Sequence, residues 1–215
     1  MVLKLYGSAM STSRVLVTIL EKDLPYEFIL VDIAKGDHKS EDFRRLQPFG
    51  KVPALDDDGF VMFESRAICK YLARKYPSGT KLIPDEGDHK AYAAFEQACS
   101  VEQSYFAAAA ETLGYELYIK RAKGLGVPDE ARVAQAEADL ETVLAVYDEI
   151  LARQKYLAGD EVTLADLFHL PNAAALKAGK WRETIEKYPH VDKWLAGLQA
   201  RSAWPKAAAE ARTQA

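Results

Sequence analysis

Gln47 to Tyr76, QPFGKVPALDDDGFVMFESRAICKYLARKY, places a turn, two short strands and the start of a helix in one continuous stretch. Val52-Pro53-Ala54-Leu55 is a short apolar run interrupted by proline, Asp56 to Gly59 is a polar turn, and Phe60-Val61-Met62-Phe63 is a second run, together a β-hairpin signature. Proline cannot donate to a central ladder, so Pro53 belongs at the first residue of its strand or in a turn, a position that a cis Val52–Pro53 bond would suit. Glu64-Ser65 follows, with Ser65 read as the N-cap of a helix patterned by Ile68, Tyr71, Leu72, Lys75 and Tyr76. A helix start offers free backbone N–H groups to an anion. The stretch therefore predicts a proline-pinned strand edge beside a helix N-terminus that carries its own carboxylate.

The surrounding 215 residues are enough for one large domain or two small ones. Apolar residues make up 49% and charged ones 28%, which is a globular composition. Basic and acidic residues are interleaved to a net charge of −4, so no uniform field exists to hold nucleic acid or an anionic membrane, and any anion site must be local. The chain begins in a strand pattern, Met1 to Lys4, rather than a signal peptide, and has no apolar run of about eighteen residues; a cytoplasmic protein is expected. Cys69 and Cys99 lie far apart in helical patterns without metal-ligand spacing and read as small buried hydrophobes; no metal is expected.

Ahead of the hairpin, Val2 to Tyr6 reads as a strand and Gly7 to Ser13 as a loop of small hydroxyl residues. Val15, Leu16, Ile19 and Leu20 mark a helix ending before Pro25, and Tyr26 to Val31 reads as a strand covered on both faces. A charged loop holding Gly36-Asp37-His38-Lys39 and a short helix with Phe43 and Leu46 precede the Pro48-Phe49-Gly50 turn. The order βαβ-(α)-ββα over residues 1–76 is the thioredoxin-like arrangement.

Composition shifts across 77–87, read as a linker, and no convincing strand pattern follows. Asp88 to about Lys123 and Pro128 to about Gln154 predict long helices, the second with Pro128 at its start. Thr163 fits an N-cap with Asp166 at the third helical position, while Val162 and Leu167 are spaced as a hydrophobic staple. His169, between Phe168 and Leu170, reads as a satisfied core histidine. Helices around 191–203 and 206–211 complete an all-α second domain, 88–215.

Gly50-Lys51-Val52-Pro53-Ala54, then Phe63-Glu64-Ser65-Arg66-Ala67-Ile68, then Tyr156-Leu157-Ala158-Gly159-Asp160 with Thr163-Leu164-Ala165-Asp166 resemble, in order and spacing, a cytosolic glutathione S-transferase. Gly36-Asp37-His38-Lys39-Ser40 followed by Gln47-Pro48-Phe49-Gly50 is similar to the phi class, which uses an N-terminal serine. The resemblance spans the whole chain. It implies a first domain that binds glutathione as co-substrate and a helical domain that supplies most of a hydrophobic co-substrate pocket. Ser11 falls on the serine that donates to the glutathione sulfur, with Thr12 and Ser13 as alternative hydroxyls because the segment before Arg14 is shorter than in many phi enzymes. Lys51 stands where that class usually has glutamine. Glu64 suits the γ-glutamyl ammonium and Ser65 its carboxylate; His38, Lys39 and Lys51 suit the glycyl carboxylate; Val52, held by Pro53, suits the cysteinyl peptide. Met10, Thr12, Tyr105 and Phe106 are the implied pocket residues, although aromatics at helical spacing are commonly core. Phe49 is the implied anchor of a homodimer.

The implied activity is conjugation of the glutathione thiolate to hydrophobic electrophiles. Ligandin-like binding and transport of hydrophobic molecules, or glutathione-dependent peroxidase activity, are the alternatives. A non-catalytic interaction domain is disfavoured by the hydroxyl segment with Glu64 and Ser65, and a cysteine-type transferase by the lack of cysteine between Gly7 and Ser13.

Overall fold

A computed structural model describes residues 2–213, apart from the side chains at 9, 10, 212 and 213. Strand β1 (Leu3–Gly7) buries Leu3 and Leu5 on one face and exposes Lys4. Helix α1 (Ala9–Glu21) buries Val15, Leu16, Val17 and Ile19 completely. Strand β2 (Tyr26–Leu30) runs parallel to β1, with Leu5 opposite Phe28. Helix α2 (Glu41–Leu46) starts where the Ser40 hydroxyl accepts from the Phe43 N–H at 3.2 Å. The hairpin is β3 (Ala54–Asp57) and β4 (Phe60–Phe63), and helix α3 (Ser65–Lys75) follows it.

The sheet order is β2-β1-β3-β4, with β3 antiparallel to both its neighbours and Leu55 set between Leu5 and Met62. The continuous apolar run of β2 predicts a strand covered on both faces. It is instead an edge strand with every residue at least partly exposed, because β3 takes the interior place beside β1. Pro53 stands just before β3, where no ladder bond is needed, and the Val52–Pro53 bond is cis.

The second half is helical. A long helix, α4, covers 89–122, its α-helical turns His89–Val101, Ala108–Gly114 and Lys120–Ala122 separated by π-helical stretches Glu102–Ala107 and Tyr115–Ile119. Helix α5 (Glu130–Leu151) begins beyond Pro128, its first turn capped by the Asp129 carboxylate accepting from the Arg132 N–H at 3.1 Å. Four shorter helices follow, α6 (Leu164–Leu167), α7 (Leu170–Ala178), α8 (Arg182–Glu186) and α9 (Pro189–Gln199), and the described chain ends in α10 (Ala203–Thr213).

The chain forms two compact units, one holding the residues up to Ile83 together with those from Gln199 onward, the other Pro84–Leu198. The last helix thus belongs with the sheet and not, as expected from sequence, with the helical unit. Buried Ala207 and Ala211 let α10 approach α1 closely, and Arg201 grips the Glu21 carboxylate with Nε at 2.7 Å and Nη2 at 2.6 Å. The Thr80 hydroxyl donates to the same carboxylate at 2.7 Å, and the Tyr26 hydroxyl donates to Glu210. Although burial opposes ionisation, Arg201 and Thr80 hold the Glu21 carboxyl below its ordinary range.

The helical unit centres on an aromatic cluster. His169 is fully buried, with Nδ1 2.8 Å from the Ala165 carbonyl and Nε2 3.0 Å from the Tyr147 hydroxyl, the satisfied core histidine expected from sequence. Phe106 lies 4.6 Å from its ring and Trp194 5.0 Å. No helix among the described residues is long and apolar enough to cross a membrane.

Candidate active site

The first turn of α1, the cis-proline turn and the start of α3 meet within the sheet-containing unit. Ser8 is the N-cap of α1, and its N–H donates to the Thr12 hydroxyl at 3.0 Å while that hydroxyl donates to the Ser8 carbonyl at 2.9 Å. Thr12 is fully buried and so close to Gly7 that a Cβ there would come within 2.2 Å of its methyl. It is therefore a structural residue of the turn and not a pocket wall. Ser13 is also buried. Ser11 alone of the three hydroxyls is partly accessible, and its Oγ–H donates to the Val52 carbonyl at 3.1 Å. The N–H groups of the first turn of α1 lie beside it, unclaimed by the helix's own carbonyls.

At α3 the expected cap is displaced by one residue. Glu64 is the N-cap and Ser65 the first helical residue, with the Ile68 N–H donating to the Glu64 carbonyl at 2.9 Å. Glu64 holds φ 72° and ψ 105°, a conformation that costs a non-glycine residue on the order of 1–3 kcal/mol and keeps its carboxylate exposed while Ser65 is buried. Beneath it lies a contact that the sequence pattern did not reveal. Arg14, buried to 4% exposure, donates from Nη1 to the Ser65 hydroxyl oxygen at 3.0 Å. With its oxygen accepting from Arg14, the Ser65 O–H has no acceptor among the described residues, and the guanidinium brings positive charge to the helix start. The only sequence signal was a cation set directly before the apolar run Val15-Leu16-Val17.

The remaining predicted residues cluster around the Pro48-Phe49-Gly50 turn. Lys39 Nζ donates to the Phe49 and Gly50 carbonyls at 3.1 and 2.8 Å, so this cation closes the turn instead of standing free. Gly50 sits at φ 60°, and a Cβ there would come within 2.6 Å of the His38 carbonyl, so only glycine fits. His38 has a buried Nδ1 with no hydrogen-bond partner among the described residues. The Lys51 side chain is exposed, and the Lys51 backbone N–H donates to the buried Gln47 Oε1 at 3.0 Å. Gln47 is a second residue missed from sequence, and it fixes the chain just before Val52-Pro53. Phe49 is 65% exposed, its ring edge-on to Phe63 at 6.0 Å.

Of the predicted pocket residues, Met10 has its side chain outside the described residues, and Tyr105 is exposed. Phe106 is 1% exposed between Tyr147 and His169, which makes it a core aromatic and corrects its reading as pocket lining. Burial pushes the Cys69 thiol up to about 11, far from a reactive thiolate. Among the described residues no group of three or more His, Cys, Asp or Glu is placed to hold a metal ion.

The family model for the glutathione S-transferase N-terminal domain matches residues 1–74, and that for the C-terminal domain residues 106–202. The glutathione S-transferase hmp2 of Hypomyces subiculosus is 71% identical over 99% of this chain and 100% of its own length. The tobacco glutathione S-transferase PARB (Nicotiana tabacum) is 42% identical over 96% of this chain and 97% of its own. Among solved structures, a glutathione transferase of Populus trichocarpa superposes with a TM-score of 0.91 at 37% identity, covering 98% of this chain and 99% of that one. Maize glutathione S-transferase I, solved with an atrazine glutathione conjugate, gives 0.90 at 35% identity, with both chains fully covered. The thioredoxin-like unit, the helical unit and these relatives agree: the chain belongs to the glutathione S-transferase family, with phi-class kin, and is an enzyme of that activity.

Proposed function

We propose that this transferase joins the glutathione thiolate to hydrophobic electrophiles and that Ser11 stabilises the thiolate. The observation that carries this reading is the Ser11 hydroxyl, partly accessible at the start of α1 and 3.1 Å from the Val52 carbonyl. Its proton is committed to that carbonyl. A cysteinyl N–H paired with the Val52 carbonyl would take over this acceptor and release the hydroxyl towards sulfur. The γ-glutamyl carboxylate suits the Ser65 O–H and the N–H groups of α3, with Arg14 behind them, and the ammonium suits the Glu64 carboxylate. At the other end of the tripeptide the glycyl carboxylate suits Lys51 and His38, with Lys39 contributing charge from within its turn.

Glu64→Ala is expected to weaken glutathione binding by about 1.5–3 kcal/mol, because the ligand ammonium loses its charged partner. Calorimetric titration checks it, and equal affinity in wild type and variant would remove Glu64 from the site.

A homodimer of cytoplasmic location is part of the proposal. An aromatic at 65% exposure on a turn closed by Lys39 and Gly50 is presented rigidly, and burying it in a partner would contribute about 1.5–3 kcal/mol per subunit. Sedimentation should give twice the 23.9 kDa chain mass at micromolar concentration, and Phe49→Ala should shift the equilibrium towards the monomer. A wild-type protein sedimenting only as the single chain would overturn this.

A further inference from the structure

Glu116 is fully buried in the helical unit, within a π-helical stretch whose Tyr115, Tyr118 and Ile119 are exposed. This inversion of the usual order has a structural cause. One oxygen of the carboxylate accepts from Lys120 Nζ at 2.9 Å and from the Asp129 backbone N–H at 3.0 Å, and the other lies 3.1 Å from Arg132 Nη1. The end of α4 is thereby pinched to the start of α5, which fixes the base of the loop between them.

The loop is also set from within. Gly124 ends α4 at φ 65°, its N–H donating to the Arg121 carbonyl at 3.1 Å while the Leu125 N–H donates to the Lys120 carbonyl at 2.9 Å, a Schellman closure. Gly126 follows at φ 104°, a conformation that favours glycine. Every residue from 121 to 127 is exposed, so a braced loop projects from the unit with none of its side chains buried.

What the projection carries is ordered along the chain. At its tip Leu125 is 56% and Val127 81% exposed. Beside them Arg121 and Lys123 are exposed and have no ion-pair partner among the described residues, and behind them on α4 stands the exposed Tyr118. From Ile119 to Pro128 the chain has three cations and no acid, against a net charge of −4 overall. Aliphatic groups at a tip, then cations, then an aromatic match the layers of a bilayer surface: acyl chains, headgroup phosphates and the interface with water. A protein partner would have to supply a hollow for the tip, whereas lipid yields around it.

From the braced base, the aliphatic tip and the two cations we infer that the loop 121–127 docks reversibly on anionic phospholipid bilayers. Leu125 and Val127 enter the headgroup layer, and Arg121 and Lys123 lie on the lipid phosphates. The site is local, which the overall negative charge permits, and it does not depend on the role of Ser11.

The test sediments the whole protein with vesicles of phosphatidylcholine alone and of phosphatidylcholine with about one third phosphatidylserine. Binding is expected on the anionic vesicles and should fade as salt is raised. Arg121→Gln combined with Lys123→Gln should lower the partition coefficient at least about twentyfold, at about fivefold for each cation. Leu125→Ser combined with Val127→Ser should lower it about tenfold. Both double variants should keep the wild-type conjugation rate and circular dichroism spectrum. Acrylodan attached to Val127→Cys should shift its emission to the blue on anionic vesicles; the native Cys69 and Cys99 are buried. No binding to the anionic vesicles, equal binding to the neutral ones, or wild-type partition in either double variant would overturn the assignment. So would a changed sedimentation of the Leu125→Ser, Val127→Ser protein without lipid, which would give the tip to a second copy of this chain.

Discussion

Ser11→Ala is expected to lower turnover at pH 7 about ten- to hundredfold while leaving glutathione affinity nearly unchanged. A thiol of pKa about 8.5 must fall by about two units to be mostly thiolate at neutral pH, a stabilisation of about 2.7 kcal/mol. A hydrogen bond to a charged acceptor supplies about 1.5–3 kcal/mol, and a helix N-terminus up to ~2 kcal/mol. Both sources are at hand in the first turn of α1, so no strong base is needed. Removing the hydroxyl should raise the bound thiol's pKa by about one to two units, and part of the lost rate should return as pH rises and the thiolate re-forms. Affinity should persist because the charged ends of the tripeptide carry most of it.

The thiolate absorbance of bound glutathione, followed against pH, separates Ser11 from its neighbours. Thr12→Ala removes the hydroxyl that holds Ser8, so it should lower stability and disturb the turn, and Ser13 is buried. A wild-type titration curve in Ser11→Ala, with a shifted one in Ser13→Ala, would move the role to Ser13. No shift in any of the three would end the serine mechanism.

The parts of this molecule that were legible in its sequence are those fixed by short-range rules. Val52-Pro53 before an apolar run demands a special turn, and the polar tetrad Asp56 to Gly59 demands a hairpin, because backbone sterics and missing donors act within a few residues. The Thr163–Asp166 capping box is legible for the same reason. What escaped depends on partners distant in the chain. Arg14 reaches Ser65 across fifty-one positions, and nothing in either neighbourhood names the other. Helix α10 advertises an apolar face but not its partner, and its place against α1 follows from Arg201 meeting Glu21. Thr12 and Phe106 differ from expectation because helical spacing tells which residues share a face, not whether that face meets solvent or core.

Asp166→Ala is expected to cost about 3–5 kcal/mol, a large part of a typical domain's total stability of about 5–15 kcal/mol. The carboxylate is fully buried and accepts from four donors: the Leu157 N–H at 3.0 Å, the Thr163 N–H at 2.8 Å, the Thr163 hydroxyl at 3.0 Å and the Trp194 indole at 3.1 Å. Burial pushes the Asp166 carboxyl up from its ordinary value, and these donors act against it. Alanine leaves all four without an acceptor, at about 1–3 kcal/mol for each that stays dry. The loss falls on three segments at once, because the turn at Leu157, the start of α6 and helix α9 meet on this side chain. Thr163→Val, which removes only the hydroxyl, should cost about 1 kcal/mol. Asp166→Asn should fall between them, since its amide keeps one oxygen but turns a competing donor towards N–H groups. Denaturant unfolding followed by tryptophan emission checks the order, with the largest drop in midpoint for Asp166→Ala; an alanine variant as stable as Thr163→Val would mean that water replaces the carboxylate at these donors at little cost.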